Sequence, residues 1–381
     1  MNLCTFRGRW DERMNEYGMR DLLREKEISG CGLSAYMDES GKRSSGNDII
    51  QSIALLHDRS NGLGGGFAAY GIYPEFADSY AFHLFYEDGV SQAACEELIR
   101  SSFEIRESGP IATRKTFGIG PAPIIWRYFV DPKEEVLAHQ DLSADDFVVR
   151  EVMKINRKID GAFVFSSGKN MGAFKAVGFP EDVGDFYRLD EYEAYMWIAH
   201  GRFPTNTPGW WGGAHPFTIL DWAIVHNGEI SSYGINMRYV EMFGYHCTMM
   251  TDTEVMAYLF DLLLRKHGLP VETACTILAP PFWDLIEHMP EEERAYYTAL
   301  RMVYGSAMAN GPFAIVLGST GMMVALNDRV KLRPLVAARK GSRIYVSSEE
   351  SGIREICPHP DTVWMPRTGE PVIARLQEGT A

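Results

Sequence analysis

Residues 198–230 read IAHGRFPTNTPGWWGGAHPFTILDWAIVHNGEI. A strand-like run, Tyr195–Ala199, leads into the stretch, and a second, Trp222–His226, leads out of it. Between the runs stand Arg202, a hydroxyl-rich turn (Thr205, Asn206, Thr207) and the His215–Pro216 pair; His226, Asn227 and Gly228 then follow one another. Charged, amide and glycine residues this dense between apolar strands point to a built site, since binding and catalytic residues concentrate on loops held by a rigid scaffold. No nucleophile is evident within the stretch, so it must come from elsewhere in the chain.

The chain has 381 residues, enough to bury one large core or two modest ones. Its formal charge of −14 argues against a nucleic-acid or anionic-membrane partner, because phosphate binding needs a basic excess. The six cysteines (Cys4, Cys31, Cys95, Cys247, Cys275, Cys357) show no C-x-x-C spacing, which speaks against a zinc site and a disulfide framework and suits a reducing compartment. Arg7, Arg9, Asp11, Glu12 and Arg13 stand where a signal peptide would be apolar. The longest apolar stretch, Phe313–Leu326, is interrupted by Gly318–Gly321 and is too short to span a bilayer. These features lead to the expectation of a cytoplasmic protein.

Residues 1–30 read as a charged leader. Periodicity then predicts a helix from Asp48 to about Arg59, strands at Phe67–Tyr73 and Tyr80–Tyr86, and helices at Gln92–Arg106 and Ala144–Ile159. The glycines at 62–66 read as a tight turn, because no Gly-Lys-Ser/Thr follows them. Residues 90–190 look like an α+β insert. A helix at Thr253–His267 has Thr251 and Glu254 at capping-box spacing, and the last third alternates short strands and turns. Strand-rich ends around helices suggest stacked sheets with helices outside.

Each candidate residue has a plain reading and a chemical one. Cys31, between Gly30 and Gly32, could be an unscreened nucleophile, although isolated free cysteines are usually buried and inert. Arg202 could grip a carboxylate through two parallel hydrogen bonds or serve a structural ion pair. Spacing alone favours a hairpin turn at Asn227-Gly228; the alternative is an oxyanion hole built from the Asn227 amide and the Gly228 backbone N–H. Capping explains Asp252 fully, yet it could also meet a substrate ammonium. His200, His215 and His226 lack metal-ligand spacing, so no metal is expected. Trp210 and Trp211 read as stiffening a loop beside the site.

Taken in order, Cys31-Gly32, the His200–Thr207 run H-x-R-F-x-T-N-T, His215-Pro216, His226–Ile230 and Thr251–Glu254 resemble the class II glutamine amidotransferases. Within that family the chain is most similar to the glutaminase domain of glutamate synthase. Asn327–Leu335 is similar to that family's D-x-x-G-L-R-P-L segment, and Ser347-Ser348-Glu349 to its A-S-E. The resemblance covers residues 31–381, more weakly over 90–190. It implies the N-terminal-nucleophile hydrolase fold, an α+β four-layer αββα sandwich of two stacked sheets.

The resemblance also implies roles. Cys31 would attack glutamine, Asn227 and Gly228 would hold the oxyanion, and Arg202, Thr205 and Asp252 would bind the substrate. It implies no cofactor for this chain. The expected partner is a separate synthase subunit, flavin- and iron–sulfur-containing, that receives the ammonia; a synthase of the N-methylglutamate type is the close variant. The departure from the family pattern is the leader. In this fold the general base is the α-amine of the nucleophile, so cleavage of the Gly30–Cys31 bond is expected. With the leader retained, the chain would be a non-catalytic glutamine-binding module. An amidohydrolase acting on another amide would lack the R-F-x-T-N-T and H-N-G pair.

Overall fold

The computed structural model describes residues 30–204 and 209–377. Successive side chains of a strand point to opposite faces, so a strand buried along its whole length must be covered on both sides. Gly32–Asp38 is such a strand, with all seven residues buried. Leu33, Ala35 and Met37 enter one apolar cluster, and Tyr36 enters another on the opposite face. The strand lies in a seven-stranded antiparallel sheet ordered Thr362–Trp364, Val336–Lys340, Arg343–Ser347, Gly32–Asp38, Met196–Gly201, Gly65–Tyr70 and Met171–Ala176. A second antiparallel sheet runs Phe217–Ile219, Trp222–Gly228, Phe313–Ser319, Met322–Asn327 and Val372–Arg375.

The two sheets share a core. Leu33, Ala68, Met196 and Ile198 of the first cluster with Val225, Val316, Ala325 and Ala374 of the second. Outside the first sheet, Phe67 and Trp197 pack with Ile49 and Ile53 of helix Asn47–Ala54 and Val183 of helix Pro180–Phe186. Outside the second, Ile224, Ile315 and Leu317 cluster with Val255 and Leu259 of helix Asp252–Phe260 and Ala274 and Leu278 of helix Val271–Leu278. Full burial of a residue such as Ile198 or Leu317 stabilises by about 1.5–3 kcal/mol relative to exposure. The layers are helix, sheet, sheet, helix: the α+β sandwich expected of an N-terminal-nucleophile hydrolase.

A third sheet, four-stranded, is ordered Phe103–Pro110, Ile124–Pro132, Tyr80–Tyr86 and Ala162–Ser166. Residues 90–190 therefore contribute to this sheet and, through Met171–Ala176, to the edge of the first one. The helix expected at Gln92–Arg106 instead runs Gly89–Ser102, capped by the Asp88 carboxylate. The chain becomes strand at Phe103, where period-two burial (Phe103 buried, Glu104 exposed, Arg106 exposed) overrides the helical run. The leader, residues 1–29, lies outside the described residues. Among those described, no helix is long and apolar enough to cross a membrane.

Candidate functional site

Antiparallel register brings the site together. Gly32 pairs with Gly201, so Cys31, one residue before, meets the chain that continues through Arg202 and Phe203. The Phe203 backbone N–H donates to the Cys31 sulfur at 3.3 Å, across 172 residues of sequence. The strand Trp222–Gly228 of the second sheet delivers Asn227 and Gly228 to the same cleft, and helix Asp252–Phe260 delivers Asp252. Cys31, Arg202, Asn227, Gly228 and Asp252 thus line one cleft of ≈ 270 Å³. Thr205, expected to bind substrate, lies outside the described residues.

Asn227-Gly228 does not form the hairpin turn that spacing favoured. Both residues are in the strand, with Asn227 opposite Ala314 and Gly228 opposite Phe313. Gly228 has φ of +135°, and a Cβ there would lie 1.9 Å from the Pro312 carbonyl oxygen, so only glycine fits. Asn227 is fully buried, and among the described residues neither its Oδ1 nor its Nδ2 has a hydrogen-bond partner. Buried amides are normally paired.

The Cys31 thiol is held above its ordinary pKa by burial, against the opposing pull of the Phe203 N–H and the nearby Arg202 and Arg333 guanidinium groups. Burial would also raise the Asp252 carboxyl. His226, the Ile230 N–H at 2.9 Å and the Thr253 hydroxyl at 3.2 Å outweigh it, bringing the value down to about 2. Asp252 is therefore an anion in the cleft lining, with buried Arg202 as a cation in the same lining.

Thr253 is the junction behind this carboxylate. Its hydroxyl contacts Asp252 Oδ1 at 3.2 Å, His215 Nε2 at 3.1 Å and His226 Nδ1 at 3.1 Å. An ionised carboxylate only accepts, so the single hydroxyl proton goes to Asp252 and both imidazoles must donate. That assigns the protons to Nε2 of His215 and Nδ1 of His226. Burial pushes His215 well below the ordinary imidazole range, consistent with its neutral form. His200 Nε2 lies 2.9 Å from the His226 carbonyl, and its ring stacks on His215 at 4.0 Å. The helix start differs from the expected capping box: Thr251 accepts from the Thr253 N–H, but Glu254 accepts from Thr248 and Met249 instead.

The sequence reading missed Arg333 and Thr253 as cleft residues. Arg333 was within the Asn327–Leu335 segment already singled out, and Thr253 within Thr251–Glu254. Gly30 also lines the cleft: a Cβ on it would stand 3.4 Å from Asn227 Oδ1 and 3.1 Å from an Arg333 guanidinium nitrogen.

Residues 116–364 match the family model described as glutamine amidotransferases class-II. The chain is 52 % identical over 363 residues to an uncharacterised protein of Archaeoglobus fulgidus, covering 94 % of this chain and 96 % of that one. It is 25 % identical over 260 residues to the glutamate synthase [NADPH] large chain of Bacillus subtilis, covering 61 % of this chain and 16 % of the larger protein. Among solved structures, the glutamine phosphoribosylpyrophosphate amidotransferase of B. subtilis aligns with 91 % of this chain and 47 % of its own, at 13 % identity and a TM-score of 0.45.

Proposed function

Since the chain belongs to the class-II glutamine amidotransferases, we propose that it hydrolyses glutamine to glutamate and ammonia with Cys31 as the nucleophile. The thiolate attacks the side-chain amide carbon, and the developing oxyanion takes hydrogen bonds from the Asn227 Nδ2 group and the Gly228 backbone N–H. Collapse expels ammonia, which leaves with the proton taken from the thiol, and forms a thioester; water then releases glutamate. Arg202 holds the α-carboxylate and Asp252 the α-ammonium, so the amide is presented to the sulfur in a near-attack geometry. Thr205 is proposed to complete the substrate pocket.

The observation that carries this reading is the Asn227 amide. It is buried, has no partner on either atom among the described residues, and shares the cleft with Cys31. An amide so placed beside the thiol is available to a reacting substrate.

The base is proposed to be the Cys31 α-amine, whose pKa near neutrality suits proton transfer at physiological pH. Among the described residues no imidazole or carboxylate hydrogen-bonds the sulfur, which receives the Phe203 N–H. The amine becomes free only when the Gly30–Cys31 bond is cut. Gly30, lying between Asn227 and Arg333, would leave the cleft with the leader. Intact mass and N-terminal sequencing of the purified protein test the step: a chain beginning at Cys31 and hydrolysing glutamine is expected. A stable chain beginning at Met1 that binds glutamine without hydrolysing it would replace the enzyme with a binding module.

The ammonia is proposed to pass to a separate synthase subunit, flavin- and iron–sulfur-containing, of the glutamate synthase kind or its N-methylglutamate-forming variant. Two features support this assignment: the similarity to the glutamate synthase large chain and the His200–Thr207 run.

A further inference from the structure

Lys175 sits in the edge strand Met171–Ala176 of the first sheet and is 1 % exposed. A lysine ammonium has three donors and no acceptor. Here all three find backbone carbonyls, of Gly212 at 2.9 Å, Ala214 at 3.1 Å and Pro216 at 3.2 Å. The rings of Phe163 and Phe217 flank the ammonium at 5.7 and 4.9 Å. Burying a cation is expensive, and a leucine or methionine would fill this apolar surround without the charge. The three carbonyls belong to one turn, residues 212–216, and that turn carries His215 into the cleft. From there the contacts run on: His215 Nε2 to the Thr253 hydroxyl, and that hydroxyl to Asp252.

We propose that Lys175 is a positioning residue for the glutamine cleft: its ammonium draws the carbonyls of the 212–216 turn together and so sets His215, and through Thr253 the Asp252 carboxylate, where the substrate's α-ammonium is held. The substrate named here rests on the function proposed above; the clamp on the turn does not.

The clamp depends on charge. Burial and the Arg202 guanidinium push the Lys175 ammonium down, Glu254 pushes it up, and the balance leaves it at about 7; His215, the imidazole that its turn carries, is neutral. The clamp therefore weakens as pH rises through neutrality. Glu254, raised by burial to about 7, gains its charge over the same window and holds the Thr248 and Met249 N–H groups. Its contribution must be separated by substitution.

The test is calorimetric titration of L-glutamine into the Cys31→Ala protein, with its chain beginning at residue 31, at a series of pH values spanning neutrality. Affinity is expected to fall by about tenfold as pH rises, the effect of losing one well-placed charge-assisted contact network. The fall should survive Glu254→Gln. Lys175→Met should bind weakly at every pH, with a flat profile. A Lys175→Met protein that keeps the parent affinity and the parent slope overturns the proposal. So does a flat profile in the parent and in Glu254→Gln, a comparison that holds even if the methionine variant does not fold. A second arm needs no ligand. Hydrogen exchange in Lys175→Met should show lost protection confined to the peptides around 209–217 and 226–232, and unchanged protection there overturns the clamp. If glutamine fails to bind the parent while the exchange arm shows the loss, the substrate assignment falls and the clamp stands.

Discussion

Asn227 lines the cleft, and among the described residues its amide has no hydrogen-bond partner. Removing the amide should therefore damage the chemistry more than the fold. In Asn227→Ala, kcat for glutamine hydrolysis is expected to fall by about 10²–10³, as for loss of one oxyanion donor, with KM little changed. Its melting temperature should stay close to the parent's. A proportional rise in KM would instead place Asn227 in ground-state binding. Arg202 is assigned the opposite split: Arg202→Ala should raise KM by about one to two orders of magnitude and lower kcat much less, because a charge-assisted pair to a carboxylate contributes about 1.5–3 kcal/mol to binding. For Asp252, the folded value of about 2 lies below the ordinary 3.8. Its stabilisation is therefore present above 3.8 and is lost as pH falls through about 2. Acid unfolding monitored by circular dichroism should show that loss in the parent, and Asp252→Asn should remove this part of the acid limb.

At the scale of elements, the end of one strand sets the backbone that the proposed oxyanion site would use. Gly228 closes Trp222–Gly228 at positive φ against the Pro312 carbonyl, so Gly228→Ala introduces both backbone strain and a clash with main chain that cannot move aside. A loss of more than about 2 kcal/mol in denaturant unfolding is expected, and a near-neutral result would show that the strand end relaxes. Here local pattern misled. Asn-Gly after an apolar run is a hairpin signal, but this strand pairs with Phe313–Ser319, far along the chain, and no strand folds straight back on it at Gly228. The Gly89–Ser102 helix shows the same limit at Phe103, where pairing with Pro132 in the third sheet takes over from helical periodicity. Thr253, at the start of helix Asp252–Phe260, ties two imidazoles and a carboxylate. Thr253→Ser keeps that hydroxyl and should keep activity, whereas Thr253→Val should lose it by raising KM.

At the scale of the whole molecule, two buried ionisable groups face one small internal cavity, Lys175 from the first sheet's edge and Glu254 from the helical layer. Glu254 is raised from 4.5 to about 7, so its favourable linkage is fully present below pH 4.5 and is lost as pH rises through about 7. Lys175 is lowered from 10.5 to about 7, so its unfavourable linkage is fully present below about 7 and is relieved between there and 10.5. Together they bow the stability profile downward near neutrality. Thermal unfolding across that range should show the falling limb flattened in Glu254→Gln; an unaltered limb would mean that the carboxylate is already relieved by solvent.

Short-range pattern reached only stacked sheets with helices outside, because the apolar runs around residues 198–230 have strand periodicity. The αββα layering and the choice of Cys31, Arg202, Asn227, Gly228 and Asp252 came from the resemblance to the class II glutamine amidotransferases, since spacing alone favoured a turn at Asn227-Gly228 and a plain cap at Asp252. What the tertiary structure decided was adjacency. Gly32 opposite Gly201 and Gly228 opposite Phe313 are matters of register between strands remote in sequence, and register is set by which faces the two sheets bury against each other. The same packing buried Lys175 against the 212–216 turn and gathered two histidines on Thr253, contacts for which no spacing rule exists. Residues 198–230 carried the proposed substrate clamp and the proposed oxyanion donors in their own order. The thiol facing them came from the fold.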